Sequence, residues 1–96
     1  MRLVQFRHKG LRRLYEDDDP KGLSAVHVDK LRKLLFALET AQDIEEAGRF
    51  PGWRLHSLKG DLKGYWSLTV TGNWRIIFRY DAAVNTASDV DLIDYH

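Results

Sequence analysis

Asp94, Tyr95 and His96 are three adjacent side chains that can each hold or move a proton, and they close the segment DVDLIDYH. A second group of such residues lies upstream. In WRLHSL, Arg54 and His56 share one parity with Leu58, and in WRIIFRY, Arg75 and Arg79 share one parity with Ile77. Lys59 and Lys63 lie in the intervening loop, and Tyr65 stands between the two stretches. If both stretches are strands, alternation sends these residues to one side of a sheet. A set of His, Lys, Arg, Tyr and Asp suits attack of an RNA 2′-hydroxyl on the adjacent phosphate. That step needs a base for the 2′-proton, an acid for the 5′-oxygen leaving group, and cations for the charge that builds on the phosphoryl oxygens. Histidine serves either proton role near neutral pH because its unperturbed pKa is about 6.5. The substrate brings its own nucleophile. An ordinary solvated sheet face also carries Arg and Lys, and Arg75 could equally pair with Asp91 or Asp94.

Other chemistries find little support. There is no cysteine, which excludes disulfides, thiolate metal sites and cysteine nucleophiles. His8, His27, His56 and His96 are dispersed, without metal-ligand spacing. KGDLKGYW lacks the spacing of a phosphate-binding loop, and no nucleophile elbow is present. The expectation is a site without metal or cofactor.

Ninety-six residues, 44% apolar and 30% charged, are expected to form one globular domain spanning 1–96. No apolar run approaches the ~20 residues of a membrane span, and the N-terminus lacks the apolar core of a signal peptide. With no cysteine, this fits a cytoplasmic protein without membrane partners. The net charge of +1 conceals segregation. Arg2, Arg7, Lys9, Arg12 and Arg13 come with no acid among them, EDDD follows, and residues 49–79 carry six cations against Asp61 alone. The four charges of 81–94 are all acidic. Folding either presents a basic surface to a polyanion or mixes these blocks.

The elements that must position these residues read as follows. RLVQF is a first strand, and HKGLRRLYED is a short helix that ends in the acidic run. DDDPKGL is a loop. Ser24 is expected to cap a helix running to about Thr40, with Val28, Leu31, Leu35 and Leu38 on one stripe. Residues 41–47 add a short helix closed by Gly48. Four strands follow: WRLHSL, YWSLTV, WRIIFRY and DVDLIDYH, with TGN a hairpin turn and AAVNTAS a loop. Trp53, Trp66 and Trp74 fall on core parity. The expected fold is α+β, with an N-terminal strand and two to three helices packed on one face of a small, mainly antiparallel sheet of four to five strands. Strict alternation puts Asp94 and His96 on the core parity of Val90 and Leu92, and Tyr95 on the other. Either the strand runs past the helices to an open rim, or a bulge resets its register.

The long stretch PGWRLHSLKGDLKGYWSLTVTGNWRIIFRY, with HKGLRRLYE before it and DYH at the end, resembles the HigB branch of the RelE/ParE toxin superfamily, the killer proteins of plasmid maintenance systems. The likeness covers nearly the whole chain. It implies a RelE-like fold and a toxin of a type II toxin–antitoxin system. Such a toxin is a metal-independent endoribonuclease that cleaves mRNA in the ribosomal A site, leaves a 2′,3′-cyclic phosphate and inhibits translation. It also implies a HigA-like helix-turn-helix antitoxin that holds the toxin inactive and connects it to operator DNA. Carried over by motif, His56 and Lys59 of RLHSLKG, Arg75 of NWR, and the terminal Asp94, Tyr95 and His96 become the catalytic set. His56 and His96 are the proton-transfer candidates, Lys59 and Arg75 meet phosphate charge, Asp94 orients a partner, and Tyr95 contacts substrate. Arg7, Lys9, Arg12, Arg13, Arg54, Lys63 and Arg79 become candidates for contact with RNA and the ribosome. Two departures stand out: Ser57 where relatives often carry proline, and a DAAVNTASD loop that looks long. The competing readings are a non-catalytic ParE-like toxin that binds a protein such as DNA gyrase, and a degenerate toxin that serves only as co-repressor.

Overall fold

The computed structural model describes residues 1–50 and 52–95, so His96 lies outside the described residues. Its elements are β1 (Arg2–Leu3), α1 (Lys9–Asp17), α2 (Ala25–Thr40), α3 (Ile44–Ala47), β2 (His56–Ser57), a 3₁₀ turn (Gly60–Leu62), β3 (Tyr65–Thr71), β4 (Trp74–Asp81) and β5 (Thr86–Asp94). The strands form one sheet in the order β1-β5-β4-β3-β2, antiparallel except for the parallel β1–β5 pair. This is the expected α+β arrangement, with five strands and three helices.

The helices form where local caps and an apolar stripe coincide. His8 caps α1, its Nδ1 accepting from the Leu11 N–H at 3.1 Å, while Leu11 and Leu14 are buried. Ser24 holds the N-cap position of α2, but its hydroxyl makes no capping hydrogen bond. The anchor of α2 is its buried stripe, Val28, Leu31, Leu34, Leu35 and Leu38. Each such side chain contributes about 1.5–3 kcal/mol on burial, against about 1 kcal/mol for a cap. At the other end, the Met1 ammonium donates to the carbonyls of Leu38 at 3.0 Å, Glu39 at 2.9 Å and Ala41. A cation thus meets the unsatisfied carbonyls of a helix C-terminus and ties the start of β1 to α2. The short third helix starts later than 41 because Asp43 caps it, accepting from the Glu46 N–H at 2.8 Å. Among the described residues, no helix is long and apolar enough to cross a membrane.

The core lies between the helices and one face of the sheet. Leu68, Ile76, Phe78 and Val90 are fully buried there against Leu11, Leu31, Leu34 and Leu38. Trp53, Trp66 and Trp74 pack against this core, as their parity predicts. The opposite face is left uncovered by helices and carries only a small cluster of Leu58, Tyr65 and Ile77, flanked by Leu62 and Ile93.

Three expectations about strands need correction. The last strand starts at Thr86, because Thr86, Ala87 and Ser88 pair with Asp81, Tyr80 and Arg79. The apparent loop therefore shrinks to a turn, held by Tyr80 donating to Asn85 Oδ1 at 2.7 Å, and is not long. The regular part of the WRLHSL strand is only His56–Ser57, since Arg54 adopts a left-handed φ of 51°. The first strand is regular only over Arg2–Leu3, although Phe6 bridges Val90 further along. Folding also partly mixes the charge blocks, as Arg12 meets Glu16 at 3.8 Å, Arg32 meets Asp18 at 2.9 Å and Arg79 meets Asp89 at 3.5 Å.

The parity question at the terminus has a definite answer. Ile77 pairs with Asp91 but Arg79 pairs with Ser88, so β5 carries one extra residue, and Asp89 has φ 50°. This bulge lies before Val90 and leaves the later alternation intact. Leu92 is opposite Ile76 and Asp94 opposite Trp74, so Asp94 keeps core-side parity. It is nevertheless exposed, as the last residue of β5.

Asp tolerates left-handed backbone better than β-branched residues do. Asp89→Val is expected to lower unfolding free energy by about 1–3 kcal/mol, and Asp89→Gly by no more than the ~0–1 kcal/mol of its surface ion pair. Urea midpoints measure both. Equal losses would show that the carboxylate, and not the backbone, matters at this position.

Candidate active site

Directly opposed residues on neighbouring strands point to the same side of a sheet. On the uncovered face the pairing therefore sets up three rows. His56, Ser67, Ile77 and Asp91 form the middle row. Thr69, Arg75 and Ile93 form the row towards the β3–β4 turn, and Tyr65 with Arg79 the row on the far side. Tyr95 follows Ile93 by two residues and shares its side. Strands lie about 4.8 Å apart and two residues span about 6.8 Å, so the backbones of His56 and Arg75 are separated by about 12 Å.

His56 sits exposed on the edge strand, its Nδ1 2.8 Å from the Arg54 carbonyl oxygen. Arg75 is half-buried, and its Nη1 donates to the carbonyls of Gly72 at 2.6 Å and Trp74 at 3.0 Å. The guanidinium thus leans on the hairpin turn and keeps its other donors for a ligand. Asp91 accepts from the Leu92 N–H at 2.9 Å through Oδ1. Tyr95 is 41% exposed, and its N–H donates to the Asn73 carbonyl at 2.7 Å, which laces the chain end to the same turn that Arg75 grips. Lys59 and Lys63 flank the 3₁₀ turn, both exposed. Asp94 stands at the rim on the helix-side parity, and His96 is outside the described residues.

A second cluster occupies the far row. Arg7 reaches over the face from the β1 edge and donates from Nη1 to the Tyr65 hydroxyl oxygen at 3.2 Å. That bond, reinforced by Asp89 and Asp91, raises the guanidinium pKa above its ordinary value. The Arg79 guanidinium lies 4.5 Å from the centre of the Tyr65 ring while its Nε meets Asp89 at 3.5 Å. Gly64, at φ 97°, makes room for it, since a Cβ there would fall 2.9 Å from Arg79 Nη1. Lys9, Arg12 and Arg13 instead project from α1 in the helix layer, exposed, with Arg12 3.8 Å from Glu16. The expected binding set is therefore split: Arg7, Arg54, Lys63 and Arg79 border the open face, and the three α1 cations do not join His56 on it.

Residue-by-residue reading overlooked the floor of the site. Ser67 is 1% exposed, and neither its Oγ nor Thr69 Oγ1 has a hydrogen-bond partner among the described residues. These two hydroxyls lie directly opposite His56 and Arg75. Their signal was the alternation of YWSLTV, where Tyr65, Ser67 and Thr69 share one parity. Asp89 was equally hidden inside a run judged by its net charge. Among the described residues, no three His, Asp or Glu side chains converge as metal ligands.

Comparison with known proteins bears on this arrangement. Residues 4–96 match the family described as the RelE-like toxin of type II toxin-antitoxin system HigB. The Endoribonuclease HigB of Proteus vulgaris is 47% identical over 78 residues, which cover 81% of this chain and 84% of that one. The Toxin HigB-1 of Vibrio cholerae serotype O1 (strain ATCC 39315 / El Tor Inaba N16961) is 34% identical over 89 residues, covering 90% and 94%. Among solved structures, the YoeB/ParE toxin from Agrobacterium tumefaciens superposes with a TM-score of 0.57 at 26% identity, over 100% of this chain and 99% of that one. With its five-stranded sheet, its uncovered basic face and a family match that spans nearly every residue, this chain belongs to the HigB family of RelE-like toxins of type II toxin–antitoxin systems.

Proposed function

We propose that this chain is an endoribonuclease that cleaves mRNA in the ribosomal A site by attack of the substrate's own 2′-hydroxyl. The observation that carries the reading is the placement of His56, Arg75 and Tyr95 on one helix-free face, beside a small apolar cluster. The 47% identical relative named an endoribonuclease supports the same chemistry.

His56 takes the 2′-proton, the 2′-oxygen bonds to phosphorus, and the bond to the 5′-oxygen breaks. The leaving oxygen collects a proton from an acid of the terminal Asp94-Tyr95-His96 group. The products are a 2′,3′-cyclic phosphate and a 5′-hydroxyl, so atoms and charge balance without a cofactor. Arg75, swinging one N–H from the Gly72 carbonyl, and Lys59 meet the charge that develops on the phosphoryl oxygens. Tyr95 offers a ring for a base to stack on. Arg7, Arg54, Lys63 and Arg79 border this face and attract the RNA backbone. Lys9, Arg12 and Arg13, on another side, suit ribosomal RNA, which must be gripped away from the scissile bond.

HigB toxins pair with an antitoxin. We assign that role to a HigA-like helix-turn-helix protein encoded beside this chain, through which operator DNA is reached. We also read the chain as one toxin domain acting in the cytoplasm, where ribosomes are.

His56→Ala is expected to slow mRNA cleavage by about 10²–10⁴-fold and Arg75→Ala by about 10²–10³-fold. Primer extension on a reporter mRNA, translated in vitro and compared with the same RNA free of ribosomes, measures both. Full cleavage by His56→Ala, or intact mRNA alongside blocked DNA supercoiling, would overturn the reading. A separate expectation concerns Ser67→Ala. It removes a buried hydroxyl that has no partner among the described residues, so thermal unfolding should show stability unchanged or raised by about 1 kcal/mol.

A further inference from the structure

We propose that Arg54 positions His56 through its backbone carbonyl, which fixes the ring tautomer so that Nε2 is the atom exchanging a proton with substrate. The inference rests on the assignment of His56 as a proton-transfer group.

The geometry starts with the edge strand. The Thr69 N–H donates to the Trp53 carbonyl at 2.6 Å, and His56 stands opposite Ser67. Three residue steps from Trp53 to His56 therefore face two steps from Ser67 to Thr69. One residue is extra, and the chain accommodates it as a bulge at Arg54, whose φ is 51°. A bulge residue in the left-handed region turns its peptide out of the ladder and re-aims its neighbours. Here the released carbonyl lies 2.8 Å from His56 Nδ1. A carbonyl oxygen can only accept, so Nδ1 carries the hydrogen. In the neutral ring that leaves the Nε2 lone pair as the acceptor, and in the imidazolium it leaves Nε2–H as the donor. Either way, a single nitrogen handles the substrate proton.

The residue type at this bulge supports a built feature. Among the described residues, the other non-glycine positions with positive φ are Asp18, Asn85 and Asp89, whose short polar side chains tolerate the left-handed region. Arginine has no such advantage. Strain of this kind persists only where the surroundings over-determine it, and such positions cluster at active sites. The two hydrogen bonds that flank Arg54 supply that determination. Its exposed guanidinium makes no ion pair among the described residues and can meet the RNA backbone, so one residue serves the site twice, through separable groups.

Arg54→Gly and Arg54→Val separate these roles. Both lose the guanidinium and should raise KM together. Glycine keeps the left-handed carbonyl and valine opposes it, so kcat of Arg54→Val is expected at least tenfold below that of Arg54→Gly in the ribosome assay. Nitrogen-15 spectra of the His56 ring in the whole toxin should show the Nδ1–H tautomer in the unmutated chain and in Arg54→Gly. In Arg54→Val they should show the Nε2–H tautomer that predominates in free histidine. Equal kcat for the two variants, or an Nε2–H tautomer in the unmutated chain, would overturn the proposal. The spectrum of the unmutated chain decides the matter even if the valine variant does not fold. Undiminished cleavage by His56→Ala would instead remove the catalytic assignment while leaving the tautomer measurement intact.

Discussion

The structure depends on the register of β4, which pairs with β3 on one side and β5 on the other over nearly its whole length. Because side chains alternate with a period of two, this register settles both faces of the sheet at once. Ile76 and Phe78 go into the core under α2, and Arg75, Ile77 and Arg79 go to the face without helices. A slip of one residue would bury two guanidinium groups and expose an isoleucine and a phenylalanine. The cost of burying unpaired charge far exceeds the gain from any surface contact, so the register has one solution. The site inherits its precision from this core.

On that frame, departures from regular pairing do the local positioning. The extra residue at Asp89 lets Ala87 and Val90 both reach the core, although they are three apart. It also brings the Asp89 carboxylate to Arg79, while Asp91, Ile93 and Tyr95 return to the open side. The extra residue at Arg54 acts on the opposite edge, beside His56. Irregular pairing therefore brackets the face on both sides, and each bulge sets a polar group where alternation alone would not.

The face also carries an energetic cost. Ser67 and Thr69 bury hydroxyls that bond to nothing among the described residues. A hydroxyl in that condition costs about 1–3 kcal/mol relative to a satisfied one. The cluster of Leu58, Tyr65 and Ile77 is small and recovers only part of it. A sheet face optimised for stability would carry apolar residues in the middle row and cover them with a helix. This one keeps a polar floor and leaves its cations uncovered.

Much of this was legible in the chain. Val28, Leu31, Leu35 and Leu38 announced the covering helix, and the three tryptophans declared the core side of their segments. Arg75, Arg79 and His56 shared a face on paper as they do in space. Alternation and helical spacing are local rules, and the core enforces them wherever apolar residues are dense. The strand at Thr86–Ser88 was misjudged as loop because Asn, Thr and Ser resemble turn residues. It pairs because β4 and β1 each present a free edge to it. The caps at His8 and Asp43 gave no clear signal beside Ser24, whose hydroxyl was the obvious candidate and makes no such bond.

By itself, then, the sequence determined which residues must be buried, and hence which face of each strand is left for polar chemistry, because burial is a property of composition and period. Only the tertiary structure decided where the strands gain an extra residue and where the last strand begins. Those depend on pairing between segments far apart in the chain. That pairing leaves Asp94 exposed, ties Tyr95 to the β3–β4 turn, and gives the Arg54 carbonyl to His56.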